Sequence, residues 1–412
     1  MPVPDPSTVP SDIDRILFDA GEHVRAGRIA AAEVGFRRVL SALPDHVDAL
    51  RQLARIANAR GDRDDAVILF SRAAKAEPQN VGALAELGVT YRDAERFDAA
   101  RYTLERAASL SAGKNPSIRL LLANTLELDA RPELALLHYV RAMYEARDAR
   151  RWMDPRDAVP DATHLIAHAA RFVATQRRAW FERALPAASA RLDRIDAALA
   201  MHLGEREPAL DDPRQQAGLF YVPGLATAPV PDAHLAWLEE AAVSLALLGD
   251  EIDSCLAASP SEAGATRLAM YLRGNVQYEA RRHARRLLTL LDSLPLARIP
   301  NLAPDIDIVA LDAGSGLAHH RGRMNSRCVA IVHLDGGAVD AIVGGERHTL
   351  SAGAHLMLDP SFGVEYRNAS ASGARLALLD VWHPDLAADE RQALSAFIVA
   401  AVDFDTRLEE LA

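Results

Sequence analysis

The chain has 412 residues, half of them apolar and a quarter charged, the composition of a globular protein with two or three domains. Its formal net charge of −11 argues against nucleic acid and anionic membranes as partners. Two cysteines exclude a disulfide framework and favour a reducing compartment. The sequence shows neither a signal peptide nor about 18 consecutive apolar residues, so we expect a cytoplasmic protein. Its fourteen histidines leave metal chemistry open.

After a flexible N-terminus predicted over residues 1–15, the segment 16–150 repeats itself. Three positions recur every 34 or 35 residues. The first holds alanine: Ala32, Ala66, Ala100, Ala135. A large residue follows four positions later (Phe36, Phe70, Leu104, Tyr139), and a smaller residue three positions after that (Val39, Ala73, Ala107, Ala142). Turn positions precede each alanine by five residues: Gly27, Gly61, Glu95, Ala130. A small residue lets two helices approach, and the large one packs into the next unit. The pattern resembles tetratricopeptide repeats and predicts an α-solenoid that binds a peptide or protein; an unrelated alanine-rich bundle is the alternative.

Residues 151–218 are predicted to form a helical connector. Pro155 and Pro160 interrupt the repeat and mark a boundary. Apolar residues then recur at helical spacing from about residue 162 to 203, which predicts one long or two shorter helices. His164 and His168 have a spacing that can chelate a metal, but no third ligand is near, so a solvated helix face is favoured.

The last part, 219–412, changes from helical to strand periodicity. Helices are expected to about Leu290. Beyond Asp305, short apolar runs about ten residues apart predict six strands: DIDIVALD, RCVAIVHL, AVDAIVGG, AHLMLD, GVEYRN and RLALLDVW. Evenly spaced strands predict an antiparallel sandwich or jelly roll over about 300–386. The chain is therefore expected to be a multidomain α+β protein: an α-solenoid, a helical connector and a jelly roll with flanking helices.

Six motifs follow one another from Pro223 to the end of the chain: Pro223-Gly224-Leu225, LPLARIPNLAP at 294–304, HRGRMN at 320–325 with Arg327, VGGER at 343–347, DPSFGVE at 359–365, and DVWHPDL at 380–386 with Glu390-Arg391. Over about 190 residues, this order and spacing resembles the aspartyl/asparaginyl β-hydroxylase family of iron- and 2-oxoglutarate-dependent dioxygenases. The resemblance implies a double-stranded β-helix, or jelly roll, with Fe(II) and 2-oxoglutarate as cofactors. It also implies hydroxylation of Asp or Asn in a peptide.

The metal ligands implied by this resemblance are incomplete. The family holds iron with two histidines and has a glycine where related dioxygenases have a carboxylate. His320 matches the first histidine and Gly322 the glycine. The second histidine belongs to a D-D-S-F-E-H-E motif, and this sequence has Val364 in its place. Because an isopropyl group has no lone pair, one matched protein ligand is left for the iron.

Four residues are candidates to replace the missing ligand: Glu365, His319, His348 and His355. Glu365 and His319 adjoin the two ligand positions, and successive side chains of a strand point to opposite faces. Only a bulge would turn either of them inward. The directions of His348 and His355 are left open by the sequence.

The resemblance implies that Arg375, Ser361 and His333 contact 2-oxoglutarate. Arg375 opens the strand before the Trp-His pair, one residue nearer to it than in the family, and a solvated strand end is the alternative. An ungapped count from His320 puts Val329 and Ile331 where the family has an arginine and a histidine. His333 lies two residues further along the same strand face, and reaches the family position only through a two-residue insertion.

Two functions remain open. The first is a 2-oxoglutarate-dependent peptidyl Asp/Asn β-hydroxylase whose activity is impaired by Val364. The second is a non-catalytic pseudo-hydroxylase that binds a peptide or protein with its cleft and repeat array. Fold alone does not decide between them, and the residues at the iron position favour impaired or absent hydroxylation.

Overall fold

The computed structural model describes residues 9–149, 162–186, 192–208, 210–218, 220–232 and 235–411. The chain divides into two compact units, one of residues 1–177 with 404–412 and the other of residues 178–403. Among the described residues, no helix combines the length and the apolar character needed to cross a membrane. Residues 1–8 of the predicted flexible N-terminus, and the predicted boundary at Pro155 and Pro160, lie outside the described residues.

The first unit contains the predicted helical hairpins. Its eight repeat helices pack in consecutive pairs: α1 (Val9–Arg25) with α2 (Ile29–Ala42), α3 (Val47–Ala59) with α4 (Arg63–Ala76), α5 (Val81–Asp93) with α6 (Phe97–Ser111), and α7 (Pro116–Leu128) with α8 (Pro132–Ala149). The first helix begins at Val9, within the segment predicted to be flexible. The four alanines that defined the repeat are all fully buried. The predicted α-solenoid is confirmed.

The turns between paired helices follow the repeat even where its sequence departs from glycine. Gly27 and Gly61 have φ of 71° and 84°, and Glu95 and Ala130 at the equivalent positions have φ of 57° and 56°. The chain must reverse within a few residues, and a left-handed residue achieves this at the end of a helix. The repeat alignment therefore located four left-handed turns, two of them at residues that rarely adopt this conformation.

Arginines of the second helix in a hairpin fasten it to the preceding repeat. Arg72 donates to the carbonyl oxygen of Pro44 at 2.6 Å, and Arg106 donates to that of Pro78 at 2.8 Å. Both pairs are 28 residues apart, so the same contact recurs with the repeat. Each arginine thereby bonds to the loop that joins its hairpin to the preceding one, which helps to fix the register of successive hairpins.

Helix α9 (Ala162–Ala184) begins in the segment predicted as a connector, and its first part packs on the fourth hairpin. Ala169 is fully buried in the core of the repeat unit, and the Phe172 ring lies 5.3 Å from that of Tyr139. His168 Nε2 lies 2.8 Å from a carboxylate oxygen of Glu127. His168 therefore has a protein partner, as a structural histidine does.

The second unit combines helices with two antiparallel sheets. Its helices are α10 (Asp193–His202), α11 (Ala236–Ala246), α12 (Gly249–Ala257), α13 (Tyr278–His283), α14 (Arg285–Ser293) and α15 (Ala388–Glu410), the last continuing into the other unit. Its strands are β1 (Ser261–Glu262), β2 (Ala265–Leu272), β3 (Asn275–Val276), β4 (Ile306–Leu311), β5 (Gly316–His320), β6 (Arg327–Gly336), β7 (Val339–Val343), β8 (Glu346–Leu350), β9 (His355–Leu358), β10 (Val364–Arg367) and β11 (Ala374–Trp382).

The strands form one seven-stranded sheet, in the order β1-β2-β4-β11-β6-β9 with β3 beside β2, and one four-stranded sheet, in the order β5-β10-β7-β8. All six predicted strands are present. The prediction of helices to about Leu290 agrees with α11 to α14 but is wrong over 261–276, where β1 to β3 lie. Gly264 and Gly274, which have left-handed backbones, bound β2; Leu268 and Met270 are buried at alternate positions, and the pairing with β4 shifts register between Ala269 and Tyr271. That period of two is masked in the sequence by helix-favouring Ala, Leu and Met.

The seven-stranded sheet has a different hydrophobic core on each face. Along β6, Cys328, Ala330 and Val332 belong to the core that includes helices α11 to α14. The residue between the last two, Ile331, belongs to the core shared with the four-stranded sheet. Because successive side chains of a strand point to opposite faces, this alternation decides which residues reach the space between the sheets.

Candidate functional site

A cavity of about 700 Å³ is lined by residues of both sheets. Its lining combines charged and apolar side chains: Arg267, Arg273, Asp305, Asp307, His320, Arg323, Arg327, Asp380; Leu302, Leu317, Met324, Val329, Tyr366, Leu378, Ile398, Val402. The volume is in the range of small-molecule sites. His320, which the sequence motifs matched to an iron ligand, is among the lining residues.

The two predicted ligand positions lie directly opposite each other. Strands β5 and β10 are antiparallel neighbours, and His320 is the register partner of Val364. Such partners are on the same sheet face, with Cβ atoms about 5 Å apart. His320 lines the cavity, while Val364 is fully buried in the core between the sheets. The structure brings the two positions together, but the second carries an isopropyl group.

His320 is open to solvent and has an aromatic neighbour inside the cavity. Partial burial of its ring lowers the pKa of His320, which favours the neutral imidazole. Its ring centroid lies 6.0 Å from that of Tyr366, two residues after Val364 on the same strand face. Tyr366 is fully buried, and its hydroxyl has no hydrogen-bond partner among the described residues. Burial raises the pKa of Tyr366, so the phenol stays protonated.

Gly322 cannot be replaced by a carboxylate residue without moving its neighbour. Its N–H donates to the carbonyl oxygen of Pro360 at 2.7 Å, and a Cβ at this position would lie 2.8 Å from Pro360 Cγ. The glycine is required by this close approach of two loops. The facial arrangement of related dioxygenases, with a carboxylate beside the first histidine, is therefore closed to this backbone.

The four candidate replacement ligands point elsewhere or lie too far from His320. His319 and Glu365 line a separate depression of about 440 Å³ together with Arg321. His355 is the register partner of Val332, which packs against the helices. His348 lies on β8, three strand spacings or about 14 Å from β5. Within the described ranges, no three His, Cys, Asp or Glu side chains are grouped to hold a metal ion.

Arg375, predicted to contact 2-oxoglutarate, faces away from the cavity. It shares its side of β11 with Ala377 and Leu379, which pack against the helices. Its guanidinium pairs with Asp335, Nε to Oδ1 at 2.8 Å, and with Asp253. Arg375, one residue nearer to the Trp-His pair than the family pattern has it, therefore lies on the face of β11 that does not line the cavity.

The other two residues predicted to contact 2-oxoglutarate, His333 and Ser361, are bonded to groups of the protein itself. His333 is fully buried, and its Nε2 lies 2.9 Å from the carbonyl oxygen of Gly337. Ser361 is also fully buried and donates to Asp359 at 2.6 Å. Neither lines the cavity, whereas Val329 does. The residues around His320 thus fit neither iron nor 2-oxoglutarate in the way that the family binds them.

A buried ion pair in the cavity wall was not predicted from the sequence. Arg327 Nε donates to Asp380 Oδ1 at 2.9 Å, and the backbone N–H of Asp305 donates to Asp380 Oδ2 at 3.1 Å. Burial raises the pKa of Asp380, although Arg327 acts in the opposite direction. Arg327 and Asp380 are both part of the sequence motifs, but the sequence analysis predicted no function for either. Their position on inward faces of strands is the signal that could have identified them.

A second buried carboxylate, Asp359, holds the turn that leads into β10. Asp359 accepts hydrogen bonds from the N–H and hydroxyl of Ser361 at 2.8 and 2.6 Å, and from Gln215 Nε2 at 2.8 Å. Burial raises the pKa of Asp359 to about 6, and the hydrogen bonds of Ser361 and Gln215 act in the opposite direction. The folded state therefore favours the protonated carboxyl.

This raised pKa predicts a pH-dependent contribution to stability. The stabilisation that the folded protein gains from protonated Asp359 is complete below pH 3.8, the ordinary pKa of an aspartate, and is lost as the pH rises to about 6. When the pH is lowered from 7 to 4, we expect the unfolding free energy of Asp359→Asn to fall by about 2 kcal/mol relative to that of the native chain, because only the native chain gains the protonated carboxyl. Urea unfolding at both pH values measures this. The exposed control Asp312→Asn should show no such difference, and parallel pH profiles for Asp359→Asn and the native chain would contradict the assignment.

Comparisons with known proteins agree with both resemblances, that of the repeat segment and that of the C-terminal domain. Residues 23–89 match the family model for tetratricopeptide repeats, and residues 240–384 match that for aspartyl/asparaginyl beta-hydroxylase. Human aspartate beta-hydroxylase domain-containing protein 2 is 33% identical over 120 residues, which are 28% of this chain and 32% of the human protein. Cellulose synthase operon protein C of Komagataeibacter xylinus is 35% identical over 100 residues, which are 24% of this chain and 8% of that protein.

The chain spans a third or less of the length of these curated relatives. Among solved structures, MamA AMB-1 aligns with a TM-score of 0.31 and 26% identity, over 33% of this chain and 80% of MamA. The helical hairpins and the first family model identify the repeat segment. The motifs in their order and the second family model identify the domain that follows. The chain carries tetratricopeptide repeats followed by a domain of the aspartyl/asparaginyl β-hydroxylase family.

Proposed function

We propose that this chain is a binding protein built on a hydroxylase fold, without iron-dependent catalysis of its own. The observation that carries the proposal is the register of β5 and β10, which sets Val364 opposite His320; the motif resemblance assigns the second iron ligand to the position of Val364. A single imidazole leaves Fe(II) to be held mainly by water, because dioxygenase centres use several protein ligands on one face of the metal.

The cosubstrate positions support the same conclusion. When bound in this family, iron and 2-oxoglutarate supply the oxidising chemistry. Here Arg375 is paired on the far face of the sheet, and Val329 lines the cavity. A buried carboxylate of 2-oxoglutarate needs a charge-assisted partner, and an aliphatic wall offers none. No catalytic step follows from these residues.

The repeat array supports a protein or peptide as the partner. Each hairpin buries its small and large residues against its neighbours, while Val34, Ile68 and Tyr102, at equivalent positions 34 residues apart, stay exposed. We propose that the array recruits the partner and that the hydroxylase-type cavity, with jelly-roll topology, provides a second contact. Both cysteines are free and buried, which favours a reducing compartment such as the cytoplasm.

Anaerobic titration with Fe(II) and 2-oxoglutarate tests the proposal. We expect no visible charge-transfer band, and in air no succinate above the protein-free background with peptides that contain Asp or Asn. A band that saturates at one iron per chain, or succinate formation that depends on the protein, would instead establish the alternative function of an active peptidyl β-hydroxylase.

A further inference from the structure

We infer that the cavity around His320 binds an organic anion with an apolar body, such as an alkyl or aryl carboxylate. The inference rests on the proposed function, in which this cavity holds a ligand without iron. Three independent features of the cavity carry it: unpaired guanidinium groups, a largely aliphatic wall and a buried hydroxyl without a partner.

The charged residues of the lining leave an excess of cations. Arg267 is paired with Asp307, and Arg327 with Asp380. Two further arginines, Arg273 and Arg323, line the cavity, are exposed and have no carboxylate partner in the described part of the chain. The remaining acid, Asp305, accepts the backbone N–H of Arg273 at 2.6 Å.

The four arginines and three aspartates of the lining sum to a formal charge of +1, in a chain whose net charge is −11. The two unpaired guanidinium groups are forked donors that suit carboxylate oxygens. The charge of the lining therefore favours an anionic ligand over a neutral or cationic one.

Much of the remaining wall is apolar. Leu302, Leu317, Val329, Leu378 and Ile398 line the cavity. Burial of hydrocarbon against such a wall is favourable in proportion to the apolar area buried, whereas a small diacid has little hydrocarbon to bury. The wall therefore selects an anion that carries an alkyl or aryl group.

Tyr366 identifies where a polar atom of the ligand would lie. The residue lines the cavity, is fully buried and has a hydroxyl without a partner among the described residues. An unsatisfied buried hydroxyl has a free-energy cost, so buried polar groups almost always have a partner. A ligand oxygen beside Tyr366 Oη would remove this cost. The phenol O–H would donate to this oxygen.

Isothermal titration of the full chain in EDTA, with three probes, tests the inference. Octanoate carries an anion and an apolar body, succinate carries charge without the body, and octylammonium carries the body with the opposite charge. We expect octanoate to bind at least tenfold more tightly than either of the others. Tyr366→Phe should weaken octanoate binding three- to tenfold, from the loss of about one hydrogen bond. Arg323→Glu should weaken it about tenfold.

Arg282→Glu is the matched control for charge, because Arg282 is exposed and does not line the cavity. Circular dichroism of each variant checks that it is folded. The inference is overturned if octanoate does not bind, if succinate or octylammonium binds as tightly, or if Arg282→Glu weakens octanoate as much as Arg323→Glu. Iron binding by the native chain would overturn the proposed function instead, so the two failures are distinguishable.

Discussion

Val364→His is expected to give the chain a metal site, with an affinity for Fe(II) on the order of 100-fold above that of the native protein. His320 and Val364 are register partners, so the new imidazole would stand on the same face about 5 Å from His320 at Cβ. Two histidines in this arrangement are what the family uses. Anaerobic calorimetry with Fe(II) measures the gain.

Val343→His is the matched control for this variant. Val343 is the register partner of Val364 on the other side of β10 and is equally buried, but it lies one strand further from His320. Both variants place an imidazole in an apolar core, so both should lose some stability. A folded Val364→His protein with no more affinity for Fe(II) than Val343→His would contradict the assignment of the ligand position.

Asp380→Asn is expected to remove about 3–5 kcal/mol of unfolding free energy, because it leaves the Arg327 guanidinium buried beside a neutral amide. The two side chains are the charged centre of the cavity wall, and Asp380 also accepts the backbone N–H of Asp305. Asparagine keeps the shape and one acceptor oxygen, so the loss reports the charge. Urea unfolding at pH 7 measures it.

Asp253→Asn serves as the control for this ion pair. Asp253 pairs with Arg375 on the outer face of the same sheet, and its side chain is 60% exposed. An exposed pair contributes about 1 kcal/mol or less. If Asp380→Asn proved no more destabilising than Asp253→Asn, the Arg327–Asp380 pair would have no special role in the cavity wall.

The sequence predicted the helical array well, because the same physical requirement is repeated four times along it. Ala32, Ala66 and their equivalents each mark a close helix contact, and errors at one unit are corrected by the others. Even the left-handed turns at Glu95 and Ala130 were found by alignment with Gly27 and Gly61. Strand β2 has no such repetition, and its helix-favouring composition concealed it.

In the candidate site, the sequence predicted only those residues whose positions are specified by a single motif. The HRGRMN and DPSFGVE motifs located His320 and Val364, and strand pairing placed them opposite each other. Arg375 was misjudged because one residue of spacing decides which face of a strand a side chain occupies. The Arg327–Asp380 pair joins strands 53 residues apart, and no local pattern specifies that register.

We propose that Val364 deprives the domain of an iron centre. Anaerobic equilibrium dialysis of the native chain against Fe(II) with 2-oxoglutarate, followed by iron determination, measures whether the domain holds iron. We predict less than about 0.1 iron per chain at concentrations where a two-histidine site would be filled. A stoichiometry of one iron per chain, lost when His320 is replaced by alanine, would contradict it.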